Sequence, residues 1–127
     1  MSWFIGALKK YAVFEGRARR KEYWFFVLFY VIFALGLGLV EVFLGPEIYL
    51  DEAETFGLLS GLYGLGMLVP SISVTVRRLH DSGRSGWWVL IGLIPLIGAI
   101  VLLVFMVLES QEGDNRFGPN PKEAAAR

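Results

Sequence analysis

The sequence predicts an all-α membrane protein: an interfacial amphipathic helix at the N-terminus, then three transmembrane helices, in one domain over residues 1–127. Three observations point there. Hydrophobic residues make up 55% of the chain, against about 45–50% in soluble domains. The excess is gathered into three runs of 21 or 22 residues, each reaching roughly the 30 Å of a bilayer's hydrocarbon core at about 1.5 Å per helical residue. None of the runs alternates with period two, and an open sheet could not satisfy its edges in lipid.

Residues 2–14, SWFIGALKKYAVF, put Phe4, Leu8 and Tyr11 on one helical stripe with Trp3 beside it and Lys9 and Lys10 off it. The segment is too short to span and carries two lysines, which predicts a helix lying on the cytoplasmic leaflet. Phe14 to Arg17 then turn the chain into GRARRKEYW. The first span covers residues 23–44, and its one charge, Glu41, falls three residues from the outer end. That places the carboxylate at the outer interface. The run exceeds a cleavable signal's apolar region of about 7–15 residues and no small-x-small site follows it, so it reads as a retained signal anchor.

The second span covers residues 56–76 and is uncharged. It carries Gly57-x-x-x-Gly61 and Ser60-x-x-x-Gly64, a flat strip where a helix backbone can approach, so Gly57, Gly61 and Gly64 are expected at a helix–helix contact. Ser71, Ser73 and Thr75 can bond back to carbonyls of the preceding turn. The third span covers residues 87–108, also uncharged, and a polar tail follows from 109 to 127. Pro70 and Pro95 each remove one backbone hydrogen bond and are expected to bend their helices.

Charge sets the orientation. An N-terminus inside puts nine of the twelve Lys and Arg in the cytoplasm, and the first loop, GPEIYLDEAET, has four acids and no base. The positive-inside rule then predicts N-in and, after three spans, C-out. Trp3, Trp24, Trp87 and Trp88 fall at the cytoplasmic boundary, where indole rings prefer to sit. The net charge is zero and there is no cysteine, which excludes disulfides and thiolate metal sites.

RRLHDSGRSGWW, residues 77–88, concentrates most of the chemistry. Arg77 and Asp81 stand at i, i+4 and can pair on a helix that outruns the membrane. Gly83 suits the left-handed position ending that helix, and Ser85 can cap the next. His80 and Asp81 are sequence neighbours that would point apart on a helix, and a lone histidine lacks the convergent ligands of a metal site. No base is placed for Ser82 or Ser85. The reading is therefore no enzyme, no metal and no cofactor. Arg77, Arg78 and Arg84, together with Arg17, Arg19 and Arg20, make an expected anion site for lipid phosphates. Nucleic acid is excluded as a partner because so short a soluble portion holds no recognition fold.

Three segments, GRARRKEYW with the preceding LKKY, RRLHDSGRSGWW and GDNRFGPNP, resemble the bacterial inner-membrane family called domain of unknown function 805. The resemblance runs from about Trp3 to Pro121 and implies a small multi-pass helical protein of the cytoplasmic membrane. It implies no reaction. The matching positions are Arg17, Arg19, Arg20 and Glu22, then Arg77 to Trp88, then Asn115 to Pro121; the acidic loop from Glu47 to Glu54 lies outside them. The function expected is structural or interactive, through a basic cytoplasmic rim that meets anionic lipid, a second copy or another membrane protein. The alternative is a subunit of a small oligomeric transporter or channel, although three helices enclose little space and offer few polar residues to line a path.

Overall fold

In a computed structural model, which describes residues 2–48 and 57–126, the chain is helical, with no strand among the described residues. The elements are α1 (Ser2–Lys9), α2 (Arg20–Ile48), α3 (Leu58–Asp81), a 3₁₀ segment η1 (Gly86–Leu93), α4 (Ile97–Val107) and α5 (Pro121–Ala126). Most of the acidic loop, residues 49–56, lies outside the described residues.

Two helices are long and apolar enough to cross a membrane, Arg20–Phe43 and Leu58–Asp81. They run antiparallel: Glu41 meets Ser60 at one end, and Glu22 meets Arg77 at the other. Their interface holds Phe26, Met67 and Val74, with Phe4 and Ala7 of α1 and the buried Ala18 completing the core. Leu35 is 65% exposed and Leu65 70% exposed on the outer faces. So much contiguous apolar surface is untenable in water and natural in lipid.

α1 packs on both long helices. The Phe4 ring lies 5.6 Å from that of Phe26 and 5.5 Å from that of Phe33, and the Tyr11 hydroxyl donates to the Gly66 carbonyl at 2.6 Å. Phe4 and Ala7 are buried while Ile5 and Lys9 are exposed. The apolar side of α1 is taken up by α2 and α3.

The third apolar run departs from a single span. It folds as η1, a turn at Pro95–Leu96, and α4. Leu96 has φ 64° and ψ −61°, and the Ile97 N–H donates to the Pro95 carbonyl at 2.7 Å, a tight γ-turn of the strained hand. The two legs lie against each other. Trp88 and Phe105 meet edge-to-face at 5.6 Å, and a side chain built on Gly92 would touch Leu102. At Gly98 an added Cβ would overlap the Ile91 carbonyl oxygen. Each leg is roughly 16 Å long, about half the hydrocarbon thickness. In the turn Pro95 has no N–H to satisfy, and those of Ile94, Ile97 and Gly98 find carbonyls. Pro95 thus does more than bend a helix: it helps reverse the chain.

That reversal corrects the expected placement of the tail. Residues 107–122 return to the end of the bundle occupied by residues 16–22 and 77–86, where Arg17 donates to the carbonyls of Gln111 and Gly113. The tail does not emerge at the opposite end.

Candidate functional site

The site is built from the three motifs, which sequence places far apart and the fold brings into one buried cluster. α3 carries its helix past the expected end of span two through Asp81 and stops there in a full Schellman motif. Gly83, at φ 80°, donates to the His80 carbonyl at 3.0 Å, and the Arg84 N–H reaches the Leu79 carbonyl at 2.9 Å. Ser85 Oγ then accepts from the Trp87 N–H at 3.3 Å and caps η1.

Asp81, fully buried, is the hub. Its Oδ1 accepts from Arg17 Nε at 3.0 Å, and its Oδ2 accepts from Arg78 Nη1 at 3.0 Å and from Ser110 Oγ at 2.5 Å. The expected Arg77–Asp81 pair does not form, because Arg77 points to α2, where its Nη1 donates to Glu22. Arg17 uses all its donors: besides Asp81 Oδ1 it reaches the carbonyls of Asp81, Gln111, Gly113 and Gly118. Arg78 completes its set on the carbonyls of Met106 and Leu108 at the end of α4.

His80 ties the same three segments together. Its Nδ1 is 2.9 Å from the Gly16 carbonyl, and its ring stacks flat on Phe117 with centroids 3.9 Å apart. Asn115 Nδ2 donates to the His80 carbonyl, and Asn115 and Gly118 close a small turn through reciprocal backbone bonds. Asn120 caps α5 by accepting from the Lys122 N–H, with Pro121 at the first helical position.

The six arginines expected to form one anion site therefore divide. Arg17, Arg77 and Arg78 are buried with their charge directed inward, which corrects their assignment to an exposed phosphate-binding rim. Arg84 lies over the Phe105 ring at 4.2 Å, and Arg19 and Arg20 stand at the edge of the cluster. Arg20 donates to Glu109 Oε2 at 2.5 Å, and Glu109 Oε1 accepts from Lys122 Nζ at 2.7 Å. These bonds, from Lys122 first and then from the Ser110 N–H, hold the Glu109 carboxyl below the usual carboxylate range.

The glycines of the small-residue strip make no close contact within the chain. A Cβ on Gly61 or Gly64 would meet nothing within 4 Å, and Gly57 sits at the left-handed start of α3, at φ 85°. The glycines at close approach are Gly83 against Gln111, Gly86 against Val76, and Gly92 and Gly98 in the third run, the last two visible in the sequence only as a pair flanking a proline. Ser110, Gln111 and Lys122 were missed because nothing local distinguishes them from an ordinary polar tail. Glu41 is buried against α3, and its carboxylate accepts from the Ser60 N–H and Oγ, both at 2.9 Å, covering an orphan donor in the first turn of α3. Ser71 and Thr75 bond back to the carbonyls four residues earlier, as expected.

A family model described as protein of unknown function (DUF805) matches residues 11–119, a stretch containing nearly all of this cluster. The chain belongs to the DUF805 family. Among DUF805 relatives, it is 46% identical to inner membrane protein YhaH of Escherichia coli (strain K12), over 96% of this chain and 98% of that one. It is 43% identical to inner membrane protein YhaI of the same organism, over 96% and 97%. Uncharacterized protein YiiR of Escherichia coli (strain K12) matches at 31% identity over 59% of this chain and 45% of that one. No solved structure matches. With these relatives and two apolar spans, this DUF805 chain is a helical membrane protein.

Proposed function

We propose that this protein is a multi-pass inner-membrane protein with a structural or interaction role, working through a cytoplasmic end that is folded in advance. On this reading two full spans and one re-entrant hairpin leave both termini on the same side, which we take as the cytoplasm. Every Lys and Arg of the sequence then falls on one side and the acidic first loop on the other, a stronger fit to the positive-inside rule than three spans give. The observation that carries the reading is Arg17, whose bonds to Asp81, Gln111 and Gly113 fasten the N-terminal segment, α3 and the tail at one face.

Catalysis is absent from this reading. His80 is occupied by Gly16 and Phe117, and Ser82 Oγ donates to the Leu79 carbonyl. A conducting path is disfavoured because the intramembrane acid, Glu41, is spent on Ser60. What remains at the basic end is a surface for anionic lipid or a partner protein.

Reporter fusions test the placement. Green fluorescent protein after Arg127 is expected to fluoresce and alkaline phosphatase there to be inactive, with the reverse for insertions in the acidic loop. An active phosphatase after Arg127 would restore three full spans and overturn the proposal.

A further inference from the structure

At the edge of the buried cluster lie two adjoining clefts that share Arg20 and Lys21. One, of about 90 Å³, is lined by Arg19, Arg20, Lys21, Lys122 and Glu109. The other, of about 370 Å³, continues between α2 and the end of α4 over Trp24, Phe25 and Val107, and its walls are largely apolar. Trp24 is one helical turn further into the membrane than Arg20, about 6 Å along α2. The combined groove is thus basic at the headgroup level and apolar immediately below it. Its apolar wall is fixed by Trp24 Nε1, which donates to the Met106 carbonyl at 3.2 Å.

We propose that this groove holds a single anionic phospholipid, with its phosphate among Arg20, Lys21 and Lys122 and one acyl chain along Trp24, Phe25 and Val107. Charge complementarity supports this occupant: the small cleft gathers four cationic side chains around one carboxylate, Glu109. Glu109 now bridges Arg20 and Lys122 at 2.5 and 2.7 Å, so it is the internal anion that a phosphate must displace. Both bridges are exposed, and exposed pairs contribute little, so the exchange costs little. Arg20 adds a planar fork suited to two phosphate oxygens. The proposal rests on the cytoplasmic placement of the basic end.

Native mass spectrometry of the full chain in detergent, titrated with phosphatidylglycerol or phosphatidylcholine, is the test. Wild type is expected to prefer phosphatidylglycerol, and Arg20→Gln with Lys21→Gln and Lys122→Gln to weaken that binding about fivefold for each charge removed. Lys9→Gln with Lys10→Gln and Arg116→Gln removes equal charge elsewhere and is expected to bind like wild type. Glu109→Gln is expected to tighten binding, and Val107→Trp, which fills the apolar groove, to weaken it with every basic residue intact. Equal losses in the groove and control triples would overturn the groove while leaving a generally basic, lipid-facing end. No preference for phosphatidylglycerol in wild type would overturn the groove and leave the basic end to a partner protein. Displacement by glycerol 1-phosphate at matching concentrations would make this a free-anion site and also refute the proposal.

Discussion

Asp81→Asn is the perturbation that reaches furthest into this structure. The Arg17, Arg78 and Asp81 side chains are at most 1% exposed, so neutralising Asp81 leaves two guanidiniums buried without their carboxylate. Removing one partner of a buried ion pair costs about 3–5 kcal/mol. The asparagine amide oxygen still accepts one hydrogen bond, returning about 1 kcal/mol. A net loss of about 3 kcal/mol corresponds to a melting temperature lower by about 10–15 °C in a chain of this size. The assay is thermal denaturation in detergent followed by size-exclusion fluorescence, with limited proteolysis of the tail alongside. The tail is expected to be cut sooner, because Ser110 Oγ donates to the Asp81 carboxylate and Arg17, which holds the Gln111 and Gly113 carbonyls, is positioned by it. In a double-mutant cycle with Arg78→Met, the combined loss is expected to be smaller than the sum, since the second change removes one of the stranded charges. A melting temperature within about 3 °C of wild type, with an equally protected tail, would refute the hub.

Two further predictions use the same assays. Gly98→Ala is expected to lower the melting temperature sharply, because its Cβ overlaps backbone at Ile91, whereas Gly61→Ala meets open space and is expected to be silent; equal behaviour of the two would contradict the folded-back hairpin. Phe117→Ala removes the stack on His80 and is expected to speed tryptic cleavage after Arg116 without a comparable fall in the melting temperature of the spans; unchanged cleavage would show that the stack does not hold the tail.

Much of the fold was legible because it follows from local chemistry. Apolar length fixed α2 and α3, Gly83 marked the end of α3 by its tolerance of positive φ, and Ser85 marked the next start. The third run was misread because hydropathy sums composition and is blind to a reversal whose legs are both apolar. Only the spacing of Gly92, Pro95 and Gly98 hinted at it, and glycine and proline are common in membrane helices. The cluster was half legible. Its arginines and aspartate stood out, but pairing by helical spacing put Arg77 first for Asp81, whereas the partners that form are Arg78, three residues away, and Arg17, 64 residues away. A basic motif beside a membrane also looks the same in sequence whether its charges point out to lipid or in to carbonyls.

The inward direction has a physical reason in α4. The cluster buries three guanidiniums, Arg17, Arg77 and Arg78, against two carboxylates, Glu22 and Asp81, an excess of one positive charge. Such an excess would be prohibitive in an apolar interior. Here it faces the C-terminal end of a helix, where unsatisfied carbonyls carry partial negative charge. Arg78 takes the Met106 and Leu108 carbonyls, Arg20 the Val107 carbonyl, and Trp24 also donates to Met106. Because η1 and α4 fold back, that helix end arrives beside α3 instead of at the far side of the membrane. The hairpin and the buried arginines therefore require each other: a straight third span would carry these carbonyls about 30 Å away and leave Arg78 with Asp81 alone. The same geometry predicts that lysine is a poor substitute at positions 17 and 78. A single ammonium cannot reach a carboxylate and carbonyls from separate segments at once, which a planar fork with five donors does.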